Sequence, residues 1–314
     1  MSDLERDPTE VAAALVEAVS STIRGKYAGV RLAVTALLGG GHLLMQDLPG
    51  TGKTLLGKSL ATAVGGEFGR VQCTPDLLPS DICGTSVFQP NTGDWTFRQG
   101  PIFSDVVLVD ELNRASPRTQ SALLEPMEER QVSVDGITYA LPDTFFCIAT
   151  QNPSGQLGTF ALPESQLDRF ALTVSLGLPD RDAEREIITG RGGIEQLDAI
   201  HPVTSPKELA TVVQRVHRTH CADAVVEYVL DLAAATRNDA ALVTGISPRA
   251  TTSLLAMARA HAVVAGRDFV TPDDVQFVYQ PACAHRVSLH NGVDLVAAWP
   301  VLGSILARVP VPRG

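Results

Sequence analysis

The sequence predicts an α/β domain built on a central, mostly parallel five-stranded sheet, followed by a smaller all-helical domain. Three observations carry that expectation. Residues 43–58, LLMQDLPGTGKTLLGK, run from an apolar stretch through a Pro/Gly turn into a helical pattern. Residues 106–109, Val-Val-Leu-Val, are apolar without alternation and end in Asp110-Glu111, as in a strand buried on both faces of a parallel sheet. Beyond Pro179-Asp180 only helical patterns occur, which divides the chain into residues 1–179 and 180–314.

The chain has 314 residues, 45% of them hydrophobic and 19% charged, enough for a substantial core. The net charge of −10 argues against a nucleic-acid face, which is normally basic. Five scattered cysteines, an odd number, point to reduced thiols and a cytoplasmic protein. The start, MSDLERDPTE, has no apolar signal core. The apolar stretch 295–307 contains Pro300 and is shorter than the roughly 20 residues of a membrane span.

Taken in order, residues 10–23 form a helical run, 25–30 break it, and 32–38 form a second run closed by Gly39-Gly40-Gly41. Residues 42–45 are a short buried strand, and 53–64 a helix with Leu55, Leu56, Leu60 and Ala63 on one face. Residues 70–73 are the second strand. Residues 76–100 hold an inserted hairpin, 85–88 against 95–97, turned by Asn91-Thr92-Gly93. After the strand at 106–109, Ser116-Pro117 starts a helix expected to run through Glu129. A second hairpin, residues 131–140, turns at Asp135-Gly136. Strands at 144–150 and 171–178 complete the sheet. Helices are then expected at 181–188, 206–217, 224–235, 248–265 and 272–283, with Thr271 and Asp274 forming a capping box.

The candidate chemistry starts at the turn. Pro49, Gly50, Thr51 and Gly52, with Lys53, Thr54 and Leu55 opening the helix, place backbone N–H groups and the positive helix end around one point, which suits phosphate. Lys53 supplies a cation for terminal phosphates, and the Thr54 hydroxyl a ligand for Mg²⁺. Asp47 stands where the P-loop pattern has glycine; aspartate visits left-handed backbone more readily than most residues, and its charge must point away from the phosphates. Asp110 would hold Mg²⁺, and Glu111 would polarise an attacking water. Asn152 ends the next strand and either orients that water or is an ordinary turn residue before proline. Arg169 is either a finger reaching a neighbouring subunit's nucleotide or a partner of Asp168 or Glu164. Arg249 sits in a first helical turn, where the dipole disfavours a cation. Either a nearby acid offsets that cost or the arginine is there for an anion. Arg114 either senses a subunit interface or, as the simpler reading, makes a surface ion pair. His217, His220 and Cys221 have no second ligand pair and read as chance proximity rather than a metal site.

The order LPGTGKT, LVDELNRASPRTQSALLEPMEERQVSVDG, IATQNP, LPESQLDRF and GISPRA, followed by GRDFVTPDDV and AHR, resembles the AAA+ ATPases and, within them, the MoxR family over residues 23–286. The resemblance implies a P-loop AAA+ core with a helical lid, binding and hydrolysing ATP with Mg²⁺. By it Lys53 and Thr54 belong to Walker A, and Asp110 and Glu111 form Walker B. Asn152 is sensor 1, Arg169 the arginine finger and Arg249 sensor 2. Residues 76–100 correspond to the helix-2 insert and 131–140 to the hairpin before sensor 1. Members are thought to form hexameric rings that act as chaperones, often with partners carrying a von Willebrand factor A domain. Metal-cofactor insertion is a related activity. The rival is a nucleic-acid motor, whose hairpins need lysine or arginine. Here residues 76–100 hold Asp76, Asp81 and Asp94 against Arg98, and residues 131–140 only Asp135, which favours a protein partner.

Overall fold

The computed structural model describes residues 6–151, 159–290 and 292–312. Helices α1 (Pro8–Thr22) and α2 (Tyr27–Leu38) lead into β1 (Leu43–Gln46), α3 (Lys53–Val64) and β2 (Phe68–Gln72). The short α4 (Pro79–Cys83) precedes the hairpin β3 (Gly84–Gln89) and β4 (Asp94–Gln99). Then come β5 (Val106–Asp110), α5 (Pro117–Ser121), α6 (Leu124–Glu129), the hairpin β6 (Gln131–Val134) and β7 (Ile137–Ala140), β8 (Phe146–Gln151), α7 (Glu164–Leu167) and β9 (Leu172–Val174). The five-stranded sheet has the order β2-β5-β8-β1-β9 and is parallel throughout. Its central strands are apolar on both faces because both are covered. Leu43, Met45, Val106, Leu108, Phe146 and Ile148 join one apolar cluster. The alternate residues Leu44, Val107, Val109, Cys147 and Ala149 join a second cluster on the opposite face.

The C-terminal region is built from α8 (Arg181–Ile188), α9 (Pro206–Val216), α10 (Asp223–Arg237), α11 (Pro248–Val264), α12 (Pro272–Cys283) and α13 (Leu295–Arg308). Ser205 and Ser247 cap α9 and α11 in front of their prolines, with each side chain accepting an N–H of the first turn. Asp274 accepts from the Thr271 N–H at 2.8 Å, one half of the expected capping box. It is also buried between His261 and Arg267, so the cap doubles as a tie between α11 and α12.

Several details differ from the sequence expectation, among them the last strand of the sheet, expected over residues 171–178 and found over Leu172–Val174. Residues 27–30 are helical. Gly29 is a close-packing position, since a Cβ there would meet the Leu176 side chain at 2.7 Å, and the break falls at Gly25 with its φ of +70°. The helix expected over 117–129 is two helices, interrupted at Ala122 and Leu123. Two very short strands, β10 (Leu242–Thr244) and β11 (Ser288–Leu289), pair within the helical region; two or three residues are too few to carry an alternation. The apolar stretch at 295–307 is a helix despite Pro300, and among the described residues no helix is long and apolar enough to cross a membrane. The hairpin over 131–140 is as expected: Asp135 and Gly136 both have positive φ, 52° and 77°, as a tight two-residue turn requires.

Candidate active site

The carboxyl ends of β1, β5 and β8 lie side by side, and the turn after β1 opens into α3. Ligands of open parallel sheets bind outside these strand ends. Gly50 and Gly52 have φ of +83° and +97°, so the turn depends on glycine at both positions. Gly52 is the N-cap of α3 and lacks a side-chain cap, which leaves the first-turn N–H groups directed outward. Lys53 Nζ folds back across the turn and donates to the carbonyls of Asp47 (3.1 Å) and Leu48 (2.9 Å).

Asp47 does not use left-handed backbone; among the described residues only Glu111, Arg130 and Asp135 do so without being glycine. It is buried, and its carboxylate faces away from the turn. Ser175 Oγ and the N–H groups of Leu176 and Gly177 donate to it at 2.7–2.8 Å. Its role is to fasten the turn to the end of β9, which explains an acid in this position.

A cavity of about 410 Å³ lies against the turn. Pro49, Gly50, Gly52, Lys53, Thr54 and Leu55 form one wall, and Asp110 and Glu111 the other. Thr51 does not line it; its hydroxyl donates to Leu48 O at 3.1 Å and braces the turn from behind. Asn152 lies outside the described residues.

The structure adds residues that sequence reading missed. Arg70 Nη2, from β2, pairs with Asp110 Oδ2 at 2.8 Å, and Thr150 Oγ1, from β8, donates to Asp110 Oδ1 at 2.7 Å. The same Thr150 hydroxyl accepts from the Glu111 N–H at 2.8 Å. Lys58 and Ile194 also reach the cavity. The signal for Arg70 and Thr150 is the parallel register, which sets β2 and β8 beside β5, and it is not visible before the strand order is known.

Glu111 sits in the left-handed region, φ 57° and ψ 46°. Such backbone is disfavoured for a residue with a Cβ by roughly 1–2 kcal/mol. The Thr150 bond and a 2.8 Å bond from Arg114 N to Glu111 O hold it there. Its carboxylate pairs with Arg114 Nη1 at 2.8 Å, the ion pair expected for Arg114.

Arg169 and Arg249 do not line this cavity. They meet elsewhere, at the single carboxylate of Glu128. Arg249 Nη1 donates to Glu128 Oε1 at 2.9 Å, and Arg169 Nη1 pairs with Glu128 Oε2. The expected local partners of Arg169 are otherwise engaged. Asp168 pairs with the buried Arg286 at 3.0 Å, and Glu164 accepts from Ser288 Oγ at 2.5 Å. Burial first, and then the Arg249 cation, weaken the hold of Arg169 on its proton. For Arg249, Glu128 is the acid that offsets its unfavourable place in the first turn of α11. Both neighbours of Arg169 are clamped by the segment after α12: Arg286 Nη2 donates to Asp168 O at 3.0 Å and His285 Nε2 to Phe170 O at 2.6 Å. Burial keeps His285 neutral, holding its protonation well below the ordinary histidine range.

Among the described residues there is no group of three or more His, Cys, Asp or Glu placed to hold a metal ion.

A glycine turn between strand and helix, acids at the end of β5 and a helical lid define an AAA-type ATPase, a class of ATP-hydrolysing enzymes. Residues 42–172 match the ATPase family associated with various cellular activities (AAA), and residues 234–294 match the AAA lid domain. A solved protein from Cytophaga hutchinsonii superposes with a TM-score of 0.87 at 30% identity, over 98% of this chain and 96% of that one. The chain is 38% identical to the uncharacterized protein YeaC of Bacillus subtilis, over 95% of this chain and 93% of YeaC. It is 37% identical to Chaperone MoxR1 of Mycobacterium tuberculosis (94% of this chain, 81% of the relative) and 32% identical to Protein MoxR of Paracoccus denitrificans (94% of each). The chain belongs to the MoxR family of AAA+ ATPases.

Proposed function

We propose that this chain hydrolyses ATP at boundaries between its own copies and uses the cycle to remodel a partner protein. The observation that carries the reading is the separation of the two halves of the site. Lys53, Thr54, Asp110 and Glu111 face one cavity, while Arg169 and Arg249 meet on a different surface of the same chain. A single copy therefore offers a nucleotide pocket whose own arginine, Arg70, is already paired with Asp110, and an arginine pair short of an anion. A ring, six copies by the family resemblance, brings each pair to the next pocket.

In this reading Pro49 shapes the turn, the backbone N–H groups of residues 50–55 cradle the phosphates, and Lys53 leaves the loop carbonyls to meet the terminal phosphates. The hydroxyl of Thr54 and the carboxylate of Asp110 are hard oxygen donors on facing walls. They suit Mg²⁺, which usually takes one or two carboxylates together with substrate phosphates. Mg²⁺ supplies charge neutralisation at the transferring phosphoryl group. Glu111, held rigidly by Thr150, polarises the attacking water, and Asn152 orients it. Arg169 and Arg249 reach in from the neighbour to stabilise transition-state charge. The boundary at residue 179 separates the nucleotide-binding domain from the lid that carries Arg249.

A protein partner is favoured by the hairpins. Phe97 of β4 stacks on Tyr139 of β7 with ring centroids 4.0 Å apart, so the two hairpins are joined. The first presents Phe88 and Trp95, the latter 70% exposed, where a nucleic-acid motor needs cations. Proteins with a von Willebrand factor A domain are the partner class to examine first, and metal-cofactor insertion the activity to assay with them. The cytoplasm fits the five unpaired cysteines.

The test is a tagged Glu111→Gln chain, purified from its native host with ATP and Mg²⁺. This variant should bind ATP, fail to hydrolyse it and retain a specific protein. Recovery of nucleic acid that survives moderate salt, without a protein partner, would overturn the reading.

A further inference from the structure

Glu128 is the penultimate residue of α6, and it holds together two arginines from distant parts of the chain. Arg169 comes from the loop before β9 and Arg249 from the first turn of α11. One carboxylate faces two guanidiniums, so the cluster carries an excess positive charge. Among the described residues Arg169 Nε is buried without a hydrogen-bond partner. The nearest other acid in sequence, Asp168, is committed to Arg286. The charge count calls for a second anion, and none of the three groups reaches the cavity of its own chain.

We propose that Glu128 is a positioning residue for this pair. It keeps Arg169 and Arg249 at one spacing across the junction of α6 and α11, and presents them together to the phosphates of a nucleotide bound by a second copy of the chain. The inference rests on the reading that these arginines act on a neighbour's nucleotide. Glu128 itself touches no substrate. Its negative charge cancels the repulsion between two cations that the clamped backbone around Arg169 cannot relieve by moving. Without that charge, Arg249 is the one free to leave. Its side chain is 48% exposed, against 18% for Arg169, and the α11 dipole already disfavours it there.

The experiment uses mixed assemblies of full-length chains. Glu111→Gln chains donate arginines but do not hydrolyse; Arg169→Ala chains keep their own pocket but need a neighbour's arginine. Their mixture should turn over ATP well above either component alone. Adding Glu128→Gln, which keeps the side chain's shape, to the arginine-donating chains should lower the restored kcat about tenfold, with KM for ATP within about twofold. The same change on the Arg169→Ala chains, whose arginine face is already disabled, should lower it far less, and Glu128→Asp on the donors should recover part of the rate. An equal loss in both placements, or a loss in neither, overturns the positioning role while leaving the trans reading intact. A mixture no more active than its components overturns the trans reading and this inference with it.

Discussion

The cavity beside the turn and the surface around Glu128 are two arginine-containing regions that balance their charge in opposite ways. Arg70, which lines the cavity, and Arg114, paired with the Glu111 of its wall, each have an acid of their own, Asp110 and Glu111. Around Glu128, Arg169 and Arg249 share one. The first region is self-contained and built from adjacent strand ends; the second is assembled from residues 128, 169 and 249 and carries surplus charge. Under the proposed function the difference has a meaning: local neutrality marks groups set for their own chain's ligand, and an unbalanced, partly buried pair marks a surface that takes an anion from outside.

The largest effect that separates the two regions is on rate against binding. Arg169→Ala should lower kcat by roughly 10³–10⁵, with ATP affinity nearly unchanged, whereas Lys53→Ala should abolish nucleotide binding itself. Steady-state kinetics beside a nucleotide-binding titration would separate them. Equal loss of binding in both variants would break the comparison.

Asp47 sharpens it from the side of the turn. Restoring the consensus glycine with Asp47→Gly removes three hydrogen bonds to a buried carboxylate and strands the N–H groups of Leu176 and Gly177. Urea unfolding should show a loss of about 2–3 kcal/mol, without tighter ATP binding. A gain in affinity would mean that the carboxylate opposes the phosphates after all.

The smallest effect concerns His42, which ties the two regions together from beneath. Its Nε2 donates to Met127 O, next to Glu128, and its Nδ1 accepts from Cys147 N–H, beside the strand leading to the turn. Burial depresses its pKa from 6.5 to about 4. The unfolded chain therefore binds a proton that the native chain refuses. Stability from this residue is whole above pH 6.5 and falls as the pH drops toward 4, by about 2 kcal/mol at pH 5. Comparing urea unfolding at pH 7.5 and pH 5 should show His42→Asn losing that much less than the parent. An identical loss would assign the acid sensitivity to other groups.

Much of this was legible in the residues. Gly50 and Gly52 announced the turn because only a turn with positive φ needs them so close together. Val106–Asp110 announced a doubly covered strand because alternation was missing. The broken helix at Ala122 was not legible, because nothing in its composition interrupts a helix. Asp47 read as a departure from a pattern because its partners lie about 130 residues away in sequence.

The sequence by itself determined the strands of the main sheet, the glycine turn, the acids at the strand end and the family, since each depends on neighbours within a few residues or on motif order. Only the tertiary structure decided which strands flank β5, and so that Arg70 and Thr150 serve Asp110. It alone set Asp47 against the end of β9 and turned Arg169 and Arg249 onto Glu128, away from their own cavity. Backbone conformation and hydrophobic patterning act locally along the chain, but charge pairing depends on distance in space, which is fixed only once α6, β9 and α11 have packed.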